Sequence, residues 1–149
     1  SLGGNRSSHM NRYYGYKKAV IEAGFPEDEN LVTFVDAANY EEGYRATHSI
    51  VENNPNLDAI FYTTDILALG ALRSLQEKGL RVPEDIKVVG FDDIHACSYS
   101  VPPLTTVQQS IEDIAVLAVE NLMSIVKGNE VDNRIITYPV KLIKRKSTY

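Results

Sequence analysis

Apolar positions recur along this chain with two different periods. Tyr13, Tyr16, Val20 and Ala23 follow one another at three- and four-residue steps, which predicts one face of a helix that ends at Gly24. Two more helices are predicted by the same kind of spacing, over residues 41–53 and 66–78. Short runs rich in β-branched and aromatic residues predict buried strands over residues 31–35, 58–62, 86–91 and 104–107.

The second half of the chain departs from regular alternation. Residues 92–103 contain turn formers and two adjacent prolines, so we expect a loop or a short irregular turn there. Ser110, with Asp113 three residues later, is the predicted N-cap of a long helix that ends at Gly128. Residues 135–143 are expected to be extended, with Pro139 marking a sheet edge or a break.

Strand and helix alternating at this spacing predict parallel strands joined by right-handed crossovers. The expected fold class is therefore α/β, with a doubly wound parallel sheet. Gly3 and Gly4, just before the first helix, resemble the tail of a strand whose apolar body is missing or reduced to Leu2. We therefore expect the chain to be a fragment of a longer protein.

Composition narrows the function classes. The net charge of −5 disfavours a chain that binds nucleic acid with its own surface. Cys97 is the single cysteine, so no intrachain disulfide can form. No apolar run approaches the roughly 20 residues of a membrane span. The opening SLGGNRSSHMNRYY lacks the pattern of a secretory signal, so we expect a cytoplasmic protein and no membrane partner.

Hydrogen-bonding side chains follow each predicted strand. In an open α/β sheet, ligands bind outside the carboxyl ends of the strands, where helix N-termini also lie. The residues at these positions are Asn5, Arg6, Arg12, Asp36, Asn39, Thr63, Thr64, Asp65, Asp92 and Asp93. Carboxylates, amides and a guanidinium around one crevice suit a polyhydroxylated neutral ligand such as a sugar or a nucleoside.

Each of these residues also has a plain structural explanation. Asp65 opens a helix, and the role of N-cap is the one favoured by its position. Asp92 and Asp93 could cap a turn, although Asp92 is the better candidate to face a ligand. Arg12 could be a solvated side chain or part of a surface ion pair.

Catalytic and metal sites find little support in the sequence. His9, His48 and His95 lie in different segments without the paired spacing of a zinc site. Asp92, His95 and Cys97 are close in sequence, but Cys97 has no recognisable nucleophile signature. The phosphate-binding loops and the nucleophile elbow are absent as motifs, so no enzyme activity and no cofactor are expected. The basic ending KLIKRKST is interpreted as a strand edge protected by lysines.

The order of motifs resembles the effector-binding half of LacI/GalR transcription regulators. The matching segments are RYYGYKKAVIEAG, EEGYRA, NPNLDAIFYTTDILALGALRSLQEKGLRVPEDIKVVGFDDI, PPLTTVQQSIEDIA and YPVKLIKRKST. The resemblance covers nearly the whole chain. Its most specific parts are D-x-L-A-x-G-A-L-x-x-L, V-P-x-D-I-x-V-V-G-F-D-D and P-P-L-T-T-V-x-Q.

This resemblance implies a periplasmic-binding-protein-like core of two subdomains that close on a small effector. All 149 residues would then form one effector-binding fragment, with residues 3–106 as most of the C-terminal subdomain. The helix over residues 108–128 would cross to the N-terminal subdomain, and residues 134–149 would return as a final strand. The helix-turn-helix headpiece would lie outside the chain, so operator DNA would be bound only through that headpiece.

The resemblance also implies roles for individual residues. Arg12 matches an arginine that grips effector hydroxyls, and Asp92 matches the carboxylate that faces it. Gln109 matches a polar residue near the crossover, and Thr64 stands where relatives often have Asn or Ser. An aromatic side chain often stacks on the effector before the S-G-Y motif, but this chain has Ala38 at that position unless Tyr40 replaces it.

In this family the effector binds one closure state of the two subdomains more tightly and so increases its population. This change is transmitted to the DNA-binding headpieces of a dimer. A homodimer is therefore implied, with the helix over residues 66–78 and the loop over residues 94–101 at its interface and Tyr99 as an anchor. The Leu-rich face of that helix could equally be core.

A sugar-binding protein of a transport system is the alternative function with the same fold, and an enzyme of the flavodoxin-like class is the third.

Overall fold

The computed structural model describes residues 6–129 and 136–149 of the chain. Its helices are α1 (Arg6–Glu22), α2 (Tyr40–Asn53), α3 (Asp65–Glu77) and α4 (Ile111–Val126). Its strands are β1 (Ala59–Phe61), β2 (Lys87–Asp92), β3 (Thr105–Gln108) and β4 (Lys141–Ile143). Short 3-10 turns cover Glu29–Leu31 and His95–Ser98, the second within the predicted irregular loop.

The four strands form one sheet in the order β1-β2-β3-β4. β1, β2 and β3 are parallel, whereas β4 pairs antiparallel with β3. The parallel strands are joined through a helix or a long loop, as the alternation in the sequence predicts. The α/β fold class with a parallel-dominated open sheet is therefore confirmed.

Two helix ends follow the predicted capping pattern. Gly24 has φ 83°, and the amide of Phe25 donates to the carbonyl of Val20 at 3.1 Å. Gly79 has φ 73°, and the amide of Leu80 donates to Leu75 at 3.0 Å. A glycine is favoured at each position because a positive φ is costly for residues with a Cβ atom.

The core lies where α3 packs between α2 and β2. Its buried apolar residues are Tyr62, Leu67, Ala68, Ala71, Leu72, Leu75, Ile86, Val88, Cys97 and Leu104. α2 and α3 approach closely because a Cβ atom on Gly43 would collide with the backbone of Leu67, and one on Gly70 with the backbone of Tyr40. Glycine at both crossing points brings the two helical backbones into contact.

The strand predicted over residues 31–35 is wrong. Leu31 ends a 3-10 turn, and residues 32–35 belong to no strand, although Val32 has extended dihedral angles. An extended segment becomes a strand only when a neighbour supplies its hydrogen-bond ladder. The described residues place no strand beside this segment, so its β-prone composition has no partner to pair with.

Ser110 is the N-cap residue of α4, as predicted. Its hydroxyl makes no capping hydrogen bond and instead donates to the carbonyl of Pro139 at 3.2 Å. α4 nevertheless begins directly after Ser110 and ends before Gly128, as predicted. None of its side chains is buried, and the exposed apolar ones are Ile111, Ile114, Val116, Val119, Leu122, Met123, Ile125 and Val126.

The C-terminal segment returns to the sheet. β4 begins after Pro139, and the segment beyond β4 places the buried Ser147 between the first residues of β2 and β3. The predicted strand tail at Gly3 and Gly4, the polar residue Asn5, and the start of the returning segment up to Ile135 lie outside the described residues. Within the described ranges, no helix is long and apolar enough to cross a membrane.

Candidate functional site

Arg12, on α1, is held against the carboxyl edge of the sheet by three contacts. Its Nη1 donates to the carbonyl of Thr63, just after β1, at 2.6 Å. Its Nη2 lies 3.0 Å from Oδ1 of Asp92, the last residue of β2. Its guanidinium carbon lies 3.9 Å from the centre of the Phe91 ring, a cation–π arrangement. With 14% of its side chain exposed, Arg12 is fixed in place and still reachable.

Asp92 is the point where the polar contacts of the site converge. Its Oδ1 accepts a second hydrogen bond from Nε2 of Gln109 at 2.6 Å. Burial raises the pKa of the Asp92 carboxyl, while the nearby Arg12 guanidinium opposes that shift. The described residues direct their hydrogen bonds to Oδ1, and 24% of the side chain is exposed. The second oxygen, Oδ2, takes part in neither of these two contacts.

Asp93 has a different environment from Asp92. Its Oδ1 lies 2.8 Å from Nη2 of Arg145 in the C-terminal segment, and its Oδ2 accepts from Nε2 of Gln108 at 3.0 Å. Both of its oxygens are thus used within the protein. Asp93 contacts other parts of the protein through both oxygens, whereas Arg12 and Gln109 contact Asp92 through Oδ1.

Asp65 and Thr64 lie beside the site at the start of α3. Asp65 is fully buried, and its two oxygens accept from the hydroxyl of Thr106 at 2.5 Å and from the amide of Ile94 at 2.9 Å. The predicted N-cap role of Asp65 is wrong, because Asp65 is the first residue of α3 and Thr64 is its N-cap. Thr64 makes no capping hydrogen bond through its hydroxyl. Its Oγ1 is buried without a partner among the described residues.

Asn39 serves as a helix cap. Its Oδ1 accepts from the amide of Glu42 at 2.8 Å, in the usual N-cap geometry for α2. Of the six residues predicted from sequence, Arg12 and Gln109 both contact Asp92. Thr64 lies next to Thr63, and Arg12 donates a hydrogen bond to the carbonyl of Thr63. The side-chain oxygens of Asp65 and Asn39 accept hydrogen bonds from other groups of the protein.

The sequence pattern did not single out Phe91 and His9 as neighbours of Arg12. The ring of Phe91 contacts Arg12, and it could have been found as the residue adjoining Asp92. Thr63 was among the candidates, but it contacts Arg12 through its backbone carbonyl rather than its side chain. His9 lies three residues before Arg12, close to one helical turn away. Its Nδ1 is buried without a partner among the described residues. Burial, followed by the charge of Arg12, lowers the pKa of His9, which favours the neutral ring.

An apolar cavity of about 580 Å³ adjoins this cluster but is distinct from it. It lies between α1, residues 32–35 and β1, and its lining includes His9, Tyr13, Phe34, Val35, Ile60 and Phe61. Arg12, Asp92 and Gln109 do not line it. The polar cluster is the stronger candidate for recognition because it carries the donors and acceptors that orient a ligand.

Cys97, the candidate nucleophile, lies in an environment that disfavours nucleophilic reactivity. Cys97 is fully buried, and its burial raises the pKa of its thiol, which disfavours the reactive thiolate at neutral pH. Among the side chains that the structure describes, no cluster of His, Cys, Asp and Glu could hold a metal ion.

The Periplasmic binding protein-like domain family matches residues 2–148 of the chain. A PurR transcriptional repressor from Pasteurella multocida is 35% identical over 144 residues, which are 95% of this chain and 42% of that protein. Catabolite control protein A from Priestia megaterium is 33% identical over 141 residues, with the same two coverages. The chain therefore spans about 42% of the length of these curated relatives.

Solved structures give the same result. A LacI-type transcription regulator from Bifidobacterium animalis superimposes with a TM-score of 0.91 at 33% identity, over 99% of this chain and 52% of that one. The transcriptional regulator CelR in complex with cellobiose superimposes with a TM-score of 0.87 at 33% identity, over 93% of this chain and 42% of that one.

Proposed function

Because this chain belongs to the periplasmic binding protein-like domain family, in the form found in LacI-family transcription regulators, we propose that it senses a small effector for such a regulator. The effector we propose is a sugar or a related polyhydroxylated molecule. The whole regulator would be a cytoplasmic homodimer that binds operator DNA through a headpiece outside this chain.

The contacts of Asp92 with Arg12 and with Gln109 carry this proposal. The three side chains come from α1, the end of β2 and the residue after β3, so the fold brings donors and an acceptor from distant segments to one edge. The guanidinium N–H groups that are not used in these contacts can donate to hydroxyl oxygens, while Asp92 Oδ2 can accept a hydrogen bond from a hydroxyl group. Neighbouring hydroxyls on one sugar ring suit this pairing.

The exposed apolar side chains of α4 support a two-subdomain arrangement. A surface helix normally packs its apolar side chains against the core of its own protein. α4, in contrast, buries none of its residues within the described part of the chain. We propose that α4 packs against a second subdomain and that the effector binds between the two. An effector that binds one closure state more tightly would then shift the population towards it.

The proposed dimer surface includes the loop over residues 94–101. Tyr99 is 73% exposed and Val101 is 89% exposed, so both are available for a partner. The apolar face of α3 is used differently, because Leu67, Leu72 and Leu75 are buried in this chain's own core. α3 would therefore contribute only its outward side chains to a dimer.

A transport-system binding protein is the less favoured alternative. The relatives named above are a transcriptional repressor and a catabolite control protein, which supports a regulatory role. Non-enzymatic function is supported in the same way.

The proposal is tested by thermal shift of the full-length protein against a panel of sugars, sugar phosphates and nucleobases, including cellobiose, glucose 6-phosphate and hypoxanthine. A ligand that binds only the folded protein at 100 times its Kd stabilises it by about 2.7 kcal/mol. The best hit is then measured with Arg12→Ala and Asp92→Ala. Asp85→Ala is the control, because Asp85 forms an exposed ion pair with Arg81.

We expect a sugar to raise the melting temperature of the parent protein and of Asp85→Ala, and to lose its effect in both site variants. A sugar whose effect persists in both variants would show that the Arg12 and Asp92 cluster is structural. Stabilisation by nucleobases alone would keep the regulatory role and replace the sugar by a heterocyclic effector.

A further inference from the structure

We propose that Asp65 is a positioning residue for the effector site, which sets the direction of Asp92 without touching the effector. This inference rests on the proposed role of Asp92. It differs from both sequence-based interpretations of Asp65, as a ligand contact and as a local N-cap. The geometry points to a third role, because the partners of Asp65 lie in distant segments.

The first observation is what the Asp65 carboxylate binds. Oδ2 accepts from the amide of Ile94, 29 residues away, and Oδ1 accepts from the hydroxyl of Thr106, 41 residues away. Ile94 follows the two aspartates at the end of β2, and Thr106 lies on the neighbouring strand β3. One buried side chain on α3 therefore ties the turn after β2 to β3.

The second observation is the backbone of that turn. Asp92 has φ 122° and Asp93 has φ 57°, both in the region that residues with a Cβ atom adopt with difficulty. Such a conformation persists only when surrounding contacts hold it. The Asp65 carboxylate accepts a hydrogen bond from the amide of Ile94. The Thr106 hydroxyl accepts one from the amide of Asp93 at 3.3 Å.

The third observation is the fit of Asp65 against β2. A Cβ atom on Gly90 would collide with Oδ1 of Asp65, so this position requires glycine for the carboxylate to lie where it does. Gly90 is two residues before Asp92. The strand that ends in the effector-facing carboxylate is therefore shaped to admit Asp65.

Direct contact of Asp65 with an effector is disfavoured by the same geometry. The residue has 0% exposure, and both of its oxygens already accept hydrogen bonds. Asp92, in contrast, keeps 24% of its side chain exposed. In this proposal the Asp92 carboxylate binds the effector, and the Asp65 carboxylate holds the turn that contains Asp92.

The first experiment needs no effector. Hydrogen–deuterium exchange is followed by mass spectrometry in the full-length protein, with Asp65→Asn and Thr106→Val as test variants. Asp113→Asn is the matched control, since Asp113 is also an acidic residue in the first turn of a helix. We expect at least tenfold faster exchange in the segment 92–98 of both test variants and unchanged exchange there in the control. Unchanged exchange in that segment of the test variants would overturn the proposal.

The second experiment measures the affinity of the panel sugar that gives the largest thermal shift, by calorimetry well below the melting temperature. Asp65→Asn should weaken binding at least tenfold in the parent protein. It should weaken binding less than twofold further when Asp92→Asn is already present, because Asp65 then has no carboxylate to orient. Thr106→Ser, which keeps the hydroxyl, should restore most of the affinity lost in Thr106→Val.

Other outcomes separate the two proposals. Equal losses of affinity in both backgrounds, or a lower melting temperature with unchanged affinity, would overturn the positioning role. If no panel compound binds, the effector proposal fails for these compounds, and the exchange experiment still decides whether Asp65 holds the turn. If Asp65→Asn does not fold, Thr106→Val carries both measurements.

Discussion

Nη2 of Arg12 lies 3.0 Å from Oδ1 of Asp92, and this ion pair joins the first helix to the end of the central strand. The two residues are 80 positions apart, yet each is at the carboxyl edge of the parallel sheet. Neither is fully exposed, so the pair is shielded more than an ordinary surface ion pair. The same contact both anchors α1 and orients the proposed effector site.

Arg12→Lys should weaken this connection although it keeps the positive charge. A lysine ammonium cannot reproduce the planar fork that reaches Thr63 and Asp92 while it stacks on Phe91. We expect the free energy of unfolding, measured with urea, to fall by about 1–2 kcal/mol. Arg45→Lys on the exposed face of α2 is the control and should change it by less than about 0.5 kcal/mol. Equal effects of both substitutions would contradict the assigned contacts.

Gly70→Ala should destabilise the protein because the added methyl group collides with the backbone of Tyr40 on α2. Separating two packed helices costs about 1–3 kcal/mol. Gly15→Ala is the matched control, since Gly15 is also helical and has open space where a Cβ atom would lie. That control should stabilise the protein by about 0.5–1 kcal/mol. Thermal unfolding of both variants checks the opposite signs.

Ser147→Ala should be costly for so small a change. The Ser147 hydroxyl donates to the carbonyl of Val88 at 2.6 Å and accepts from the amide of Thr105 at 2.8 Å. Its removal leaves two buried backbone groups at the start of β2 and β3 without a partner, which costs about 1–3 kcal/mol. Ser49→Ala, at an exposed position of α2, should be nearly neutral in the same denaturation experiment. A neutral Ser147→Ala would show that the C-terminal segment does not hold these strands.

Asp85 should stabilise the folded protein at neutral pH, and this contribution should be lost in acid. Hydrogen bonds from Arg81 lower the pKa of Asp85 from 3.8 to about 2. A carboxyl whose pKa is lower in the folded state stabilises the protein above its ordinary pKa, and this contribution is lost as pH falls through the folded value. The difference in melting temperature between the parent and Asp85→Asn should therefore be full above pH 4 and shrink towards pH 2. Arg81→Ala should show the same pH dependence, and a difference that does not vary with pH would refute the ion pair.

Several features of the fold could be predicted from the sequence because they depend on a few neighbouring residues. The helix ends at Gly24 and Gly79 follow from the conformational freedom of glycine, and the buried strand β2 follows from a continuous apolar run. The rule that ligands bind at the carboxyl edge of parallel strands selected Arg12 and Asp92, which the structure brings into contact.

Other features depended on the tertiary structure because their partners are remote in sequence. Residues 32–35 have a β-prone composition, but pairing needs a neighbouring strand, which local composition cannot supply. Asp92 and Asp93 are chemically identical, and their different partners distinguish them: Arg145 and Gln108 contact Asp93, whereas Arg12 and Gln109 contact Asp92. The pattern of residues thus determined the elements and the edge of the sheet where polar groups gather. The folded chain decided which partners each carboxylate has, since hydrogen-bond partners are selected by distance in space.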